Sequence, residues 1–212
     1  MTDRTPAAAR ERLVASLQRR GRLADSRTAD ALLSVPRHRF VPRASVARAY
    51  ADRPLRIGRG QTISAPHVVA AISELLDPAP DARVLEVGTG CGYHAAVTAT
   101  LLEEGHVYSV EYDAELARTA RRRLDTLGYD VTVAHRDGWD GWPDHAPYDA
   151  AYLTCAAPSV PSAVLSQVRP GGRVVGPIGT DEQRLVRLHV DSDGVERETH
   201  GAVRFVEMRG GE

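Results

Sequence analysis

A glycine-rich run, Gly88-Thr89-Gly90-Cys91-Gly92, follows directly on the apolar stretch Val84-Leu85-Glu86-Val87 and directly precedes a helical pattern. Glycine suits such a strand-to-helix turn because a side chain would keep a ligand off the backbone, and because positive φ costs it little. The next β-rich run ends in Glu111, about twenty residues on, where an open parallel sheet sets an acid against the two hydroxyls of a ribose. A third run ends at Asp137-Gly138, suited to the exocyclic amine of adenine. Acids at three successive strand ends point to a bound nucleoside. The loop reads Gly-x-Gly-x-Gly, not the Gly-x-Gly-x-x-Gly that cradles a pyrophosphate, which favours a cofactor without phosphate. Glu86 points the same way, since a carboxylate just before the loop repels phosphates yet suits a cationic amino-acid group. A tight turn at the glycines and an Asx turn at Asp137 are the bland alternatives.

These residues need a frame that lines up strand ends. From residue 83 onward short β-rich runs at 84–87, 107–111, 131–135, 150–153 and 173–176 alternate with helical patterns at about 93–102, 113–127 and 160–168, with Asp113 as a cap. Such alternation means βαβ units and a mostly parallel sheet with helices on both faces. Before it, Leu13, Val14 and Leu17 recur at helical spacing, and Asp25-Ser26 starts a second helix that Pro36 stops. After it, residues 185–190, the turn Asp191-Ser192-Asp193-Gly194 and residues 202–206 predict a C-terminal antiparallel hairpin. One domain over 1–212 is expected: an N-terminal helical and active-site segment (1–80), a cofactor-binding core (81–180) and the hairpin (181–212). Pro78-Ala79-Pro80 marks the loop between the first two.

Composition narrows the function classes. The 212 residues are 42% hydrophobic and 26% charged, as in ordinary globular chains, and the net charge of −1 lacks the basic field of a nucleic-acid or anionic-membrane binder. The 27 basic residues are all arginine, so an amine nucleophile or Schiff base is excluded. Two cysteines, Cys91 and Cys155, make no disulfide framework or zinc pair, and no metal is expected. Without an apolar run of membrane-spanning length, and with Met1 to Arg12 lacking the core of a signal peptide, a cytoplasmic protein is expected.

Further segments carry a resemblance. Gly60-Gln61-Thr62-Ile63-Ser64-Ala65-Pro66-His67, the run from Val84 to Tyr93, Asp137-Gly138 with Gly141-Trp142-Pro143, and Ala146-Pro147-Tyr148-Asp149 resemble protein-L-isoaspartate O-methyltransferases. Val35-Pro36-Arg37, Phe40-Val41-Pro42, Gly171-Gly172-Arg173 and Pro177-Ile178-Gly179 extend the likeness from about residue 10 to 206. The resemblance implies a Rossmann-like class I methyltransferase fold with a seven-stranded sheet, S-adenosyl-L-methionine as cofactor, and methyl transfer to the α-carboxyl of L-isoaspartyl residues in damaged proteins or peptides. It also implies that Gln61, Thr62, Ile63 and Ser64 line the cofactor and active site, with Ser64 catalytic. Gly88, Gly90, Cys91 and Gly92 would hold the methionine part, Glu111 the ribose, and Asp137 with Gly138 the adenine side. Cys91, whose thiol is the weaker donor, stands where the family usually has serine, and the likeness stops at Val206.

An ionised carboxylate and an activated methyl need no general base, so catalysis of this kind reduces to placement and dehydration. Ser64 then guides the acceptor carboxylate or the cofactor; capping the next helix is its bland alternative. His67 reads as structural, Cys155 as a buried strand residue, Trp139 and Trp142 as packing or a substrate rim, and Arg121-Arg122-Arg123 as a solvated helix face. The expected partners are isoaspartyl proteins, with no nucleic acid or membrane, and a monomer is expected. Alternatives are esterification of aspartate in a dedicated peptide leading to aspartimide, a nicotinamide-dependent oxidoreductase, and a non-catalytic cofactor-binding module.

Overall fold

A computed structural model describes residues 5–211; the charged start of the chain before Thr5 and Glu212 lie outside the described residues. Helix α1 (Pro6–Arg19) is capped by Thr5, whose hydroxyl accepts from Ala8 N, and buries Leu13, Val14 and Leu17 at the expected spacing. Asp25 caps α2 (Ser26–Ser34). Two short helices, α3 (Arg37–Phe40) and α4 (Val46–Ala49), lead to a departure from the helical expectation for residues 1–80: β1 (Leu55–Gly58) and β2 (Gln61–Ile63) form an antiparallel hairpin. Arg59 and Gly60 both turn at positive φ, 53° and 77°, the backbone that joins two twisted strands most tightly.

Helix α5 (Pro66–Leu76) then leads to β3 (Arg83–Val87), α6 (Tyr93–Leu101), β4 (His106–Glu111), α7 (Ala114–Leu127), β5 (Val131–His135), β6 (Tyr148–Leu153), α8 (Ser162–Ser166), β7 (Val168–Ile178), β8 (Gln183–Asp191) and β9 (Gly194–Val203). The seven-stranded sheet runs β5-β4-β3-β6-β7-β8-β9. Its first five strands are parallel, and β8 and β9 close it antiparallel. The hairpin turn falls at Asp191–Gly194 as the sequence predicts, but the returning strand starts directly at Gly194 and ends at Val203, not over 202–206.

Alternation along the strands divides the core. Val84, Val107 and Tyr152 face α5, α6 and α7 on one side, and Leu85, Val87, Val110 and Leu153 face Trp142 and Val164 of α8 on the other. Leu85 and Leu153 are wholly buried, each worth about 1.5–3 kcal/mol relative to exposure. The carboxyl ends of β3, β4 and β6 therefore open at one edge on a rigid base.

Candidate functional site

The loop after β3 carries three glycines at positive φ: Gly88 (101°), Gly90 (55°) and Gly92 (88°). Gly88 has no room for more than hydrogen, since a Cβ there would lie 2.4 Å from Thr154 Oγ1. Gly88 N and Thr89 N donate to Val110 O, which fastens the loop to the end of β4. Glu111 sits beside it, its Oε2 accepting from Gly90 N at 2.8 Å and its Oε1 from Asp113 N at 3.0 Å. A carboxylate has about four lone-pair positions, so two stay available for hydroxyl donors.

The β1–β2 hairpin brings the Gln61 to Ser64 segment against this loop, and Gln61, Thr62, Ile63, Ser64, Gly88, Gly90, Cys91, Glu111 and Gly138 all line one crevice. Two arginines hold the segment there. Arg59 at the hairpin tip pairs with Asp113, the N-cap of α7, whose carboxyl is held below its usual range by Arg59 and by the amides of Leu116 and Glu115 despite the opposing effect of burial. Arg37, wholly buried, donates through Nη2 to Ser64 O at 2.8 Å and through Nε to Ala49 O at 2.9 Å, while its guanidinium lies 4.9 Å from the centre of the Tyr93 ring. Ser64 does not cap α5: Ala65 occupies the cap and no side chain bonds there. Nor does His67 serve Ser64, because its Nδ1 lies 2.8 Å from Asp52 Oδ1.

Three expected cofactor contacts are corrected. Gly92 does not line the crevice; a Cβ there would lie 3.1 Å from the core side chain of Leu124. Glu86 is fully buried below the loop and does not line the crevice. Its register partners on the flanking strands are Ser109 and Tyr152, and these neighbours take its two oxygens, Tyr152 Oη at 2.8 Å. Thr98 donates to Tyr152 Oη, and Ser109 Oγ also meets Thr89 Oγ1 in the loop, so the carboxyl belongs to an internal polar chain. Burial pushes it up to about 8 against the opposing effect of these hydrogen bonds, so it is neutral at pH 7. Asp137 likewise faces the chain's own end: its oxygens accept from Trp139 N and from Gly211 N at 2.8 Å, and only Gly138 reaches the crevice.

Several lining residues escaped sequence reasoning. His94, one position into α6 past Tyr93, is buried and pushed down to about 3 by burial, so it is a neutral imidazole. Thr154 and Cys155 close the floor, and burial raises the Cys155 thiol to about 12. The tail closes the rim: Met208 N donates to Ala156 O, and Arg209 reaches Asp113 at 3.9 Å and lies over the Tyr112 ring. With the tail in place the crevice encloses only about 80 Å³. Among the sequence-flagged arginines, Arg121 and Arg123 are not merely solvated, since they donate to Val133 O and Cys91 O. Trp142 is a core residue packed edge-on to Tyr108.

Strand order, glycine loop and the acid at the end of β4 define the class I, Rossmann-like methyltransferase architecture. The sequence profile described as protein-L-isoaspartate(D-aspartate) O-methyltransferase matches residues 8–212. The chain is 50% identical to the protein-L-isoaspartate O-methyltransferase of Methanopyrus kandleri over 96% of its length and 92% of the relative's. It is 49% identical to protein-L-isoaspartate O-methyltransferase 2 of Archaeoglobus fulgidus over 95% of its length and 93% of the relative's. A solved protein-L-isoaspartate O-methyltransferase superposes with a TM-score of 0.88 at 30% identity, covering 95% of this chain and 66% of that one. A Plasmodium falciparum structure titled as a putative enzyme of this kind in complex with S-adenosyl-L-homocysteine shares the fold, with a TM-score of 0.83 at 22% identity. The chain belongs to the protein-L-isoaspartate(D-aspartate) O-methyltransferase family. Nothing in these relatives supports the oxidoreductase alternative.

Proposed function

We propose that the chain methylates the α-carboxyl of L-isoaspartyl residues in proteins and peptides, using S-adenosylmethionine. The observation that carries this reading is the meeting, in one crevice, of the Gln61 to Ser64 segment with the Gly88 to Gly92 loop and Glu111. The residues fit such a group: a glycine loop at positive φ whose Gly88 and Gly90 line the crevice without side chains, and a carboxylate with free lone pairs at its edge. When bound, the cofactor supplies a methyl carbon on a positively charged sulfur, whose bonding pair leaves with the sulfur.

Gly88, Gly90 and Cys91 would hold its amino-acid part, Glu111 its ribose, and Gly138 its base. Gln61, Thr62, Ile63 and Ser64 would orient the acceptor, with the Ser64 hydroxyl donating to the isoaspartyl carboxylate. That carboxylate is ionised at neutral pH and attacks directly, so no residue need remove a proton. What the protein contributes is alignment and exclusion of water, which can supply roughly 7–11 kcal/mol. Within the proposal the protein is a cytoplasmic monomer, the second part of which sedimentation of the purified chain checks.

Methyl transfer from labelled cofactor to peptides that differ only in isoaspartyl or aspartyl at one position tests the reading. Ester formation on the isoaspartyl peptide alone is expected. Preference for the aspartyl peptide points instead to a dedicated-peptide enzyme, and no ester on either rejects methyl transfer.

A further inference from the structure

A second and larger cavity, about 830 Å³, lies on the other side of the glycine loop and shares Gly90 and Cys91 with the crevice. Its lining is strongly one-signed: Arg43, Arg48, Arg53, Arg56, Arg59 and Arg123 stand against one acid, Glu115. Arg59 and Arg123 are engaged in holding the hairpin and the loop, and Glu115 is paired with Arg118. The side chains of Arg43, Arg48, Arg53 and Arg56 are exposed and have no carboxylate partner among the described residues. Four unpaired guanidiniums around one concavity repel each other unless an anion joins them.

Position says which anion. Arg56 is the cross-strand partner of Thr62 in the β1–β2 hairpin, so the two side chains share a face about 5 Å apart at Cβ. Thr62 lines the methyl-transfer crevice and Arg56 the basic cavity. A peptide whose modified residue reaches the Gln61 to Ser64 segment therefore lays its neighbouring residues among these arginines. A nucleic acid fits less well, because the chain's net charge of −1 supplies no overall basic field to hold a phosphate backbone.

We propose that this cavity receives the acidic flank of the substrate, so that isoaspartyl residues set among aspartates and glutamates are methylated in preference to those in neutral or basic surroundings. This rests on the methyltransferase reading and adds the substrate class. The preference lies in binding, so it enters KM and leaves kcat unchanged.

Three isoaspartyl peptides with acidic, neutral and basic flanks, assayed at low salt, give the direct test. The KM of the acidic peptide is expected about tenfold below that of the neutral one, the gap closing at high salt. The paired variant Arg53→Gln, Arg56→Gln should raise the acidic peptide's KM to the neutral value while leaving the neutral peptide's kinetics intact. Equal KM for all three peptides overturns the proposal and leaves the methyltransferase reading standing. Should no peptide be methylated, that reading fails, and fluorescence anisotropy of a labelled acidic peptide still reads the cavity. Binding weakened by the paired variant supports the proposal; absence of binding, or displacement only by an oligonucleotide, overturns it.

Discussion

Replacing Glu86 with glutamine gives the most quantitative handle on the interior beneath the glycine loop. The side chain is neutral when folded because burial raises it from the ordinary 4.5 to about 8. In the unfolded chain the proton leaves from about pH 4.5 upward, whereas the folded chain keeps it to about pH 8. Across this window the folded state binds more protons, so the residue costs stability progressively as pH rises. Each pH unit is worth about 1.4 kcal/mol, and between pH 5 and pH 8 the loss sums to roughly 3 kcal/mol. Glutamine cannot ionise, yet its carbonyl accepts from Tyr152 and its amide donates to Ser109, so it keeps the shape and bonds of the protonated acid. Chemical denaturation of both proteins at pH 5, 6, 7 and 8 should give a difference in unfolding free energy that grows in favour of Glu86→Gln by that amount. In melting temperature this is on the order of 10 °C for a chain of this size. A difference constant to within about 0.5 kcal/mol over the range would refute the assignment of a buried, protonated carboxyl.

The remaining predictions concern the crevice itself. Ser64→Ala should lower kcat about 10- to 100-fold, the worth of a hydrogen bond to a charged group, with adenosylhomocysteine affinity in calorimetry nearly unchanged; unaltered turnover rejects a role in guiding the acceptor. Arg37→Met removes the donor to Ser64 O and Ala49 O, and the stranded carbonyls should cost about 2 kcal/mol or more in denaturant unfolding. Gly88→Ala forces a methyl group against Thr154 Oγ1 at a φ of 101°, and calorimetric titration should show at least about tenfold weaker adenosylhomocysteine binding from roughly 1–3 kcal/mol of strain. Desolvation raises the thiols of buried Cys91 and half-buried Cys155, the latter to about 12, so alkylation at pH 8 should be slow in the folded protein and fast after denaturation.

The parts of the fold that the sequence made visible are those whose signals are local. The strand before Gly88, the helix after it, Glu111 and the Asp113 cap are all read within a few residues of one another, and each stands where expected. The β1–β2 hairpin was hidden because its strands are only four and three residues long and because arginine occupies a turn position where glycine or asparagine would have announced it. Gly58 and Gly60, set between Ile57 and Ile63, were the available signal. The displaced start of β9 has a related cause. That edge strand is exposed for most of its length and lacks the alternation that marks a half-buried strand.

The corrections at the two acids share a different origin. A carboxylate before a glycine loop can face either the ligand or the interior, and for Glu86 the choice is made by Ser109, Tyr152 and Thr98, which come from three other elements. Asp137 is claimed by Gly211, 74 residues further along the chain. Arg37 belongs to a segment that the resemblance already singled out, but its partners at Ala49, Arg53 and Ser64 become apparent only once the hairpin is folded.

Under the proposed function, the crevice between the Gln61 to Ser64 segment and the Gly88 to Gly92 loop takes a sulfur-bearing nucleoside with its sulfur toward Ser64. A crystal structure of the chain with S-adenosylhomocysteine measures this most directly. Ribose hydroxyls on Glu111, the amino-acid part along the glycines, the base beside Gly138 and the sulfur facing Ser64 are expected. A nucleoside bound elsewhere, or bound there with its sulfur turned from Ser64, would contradict it.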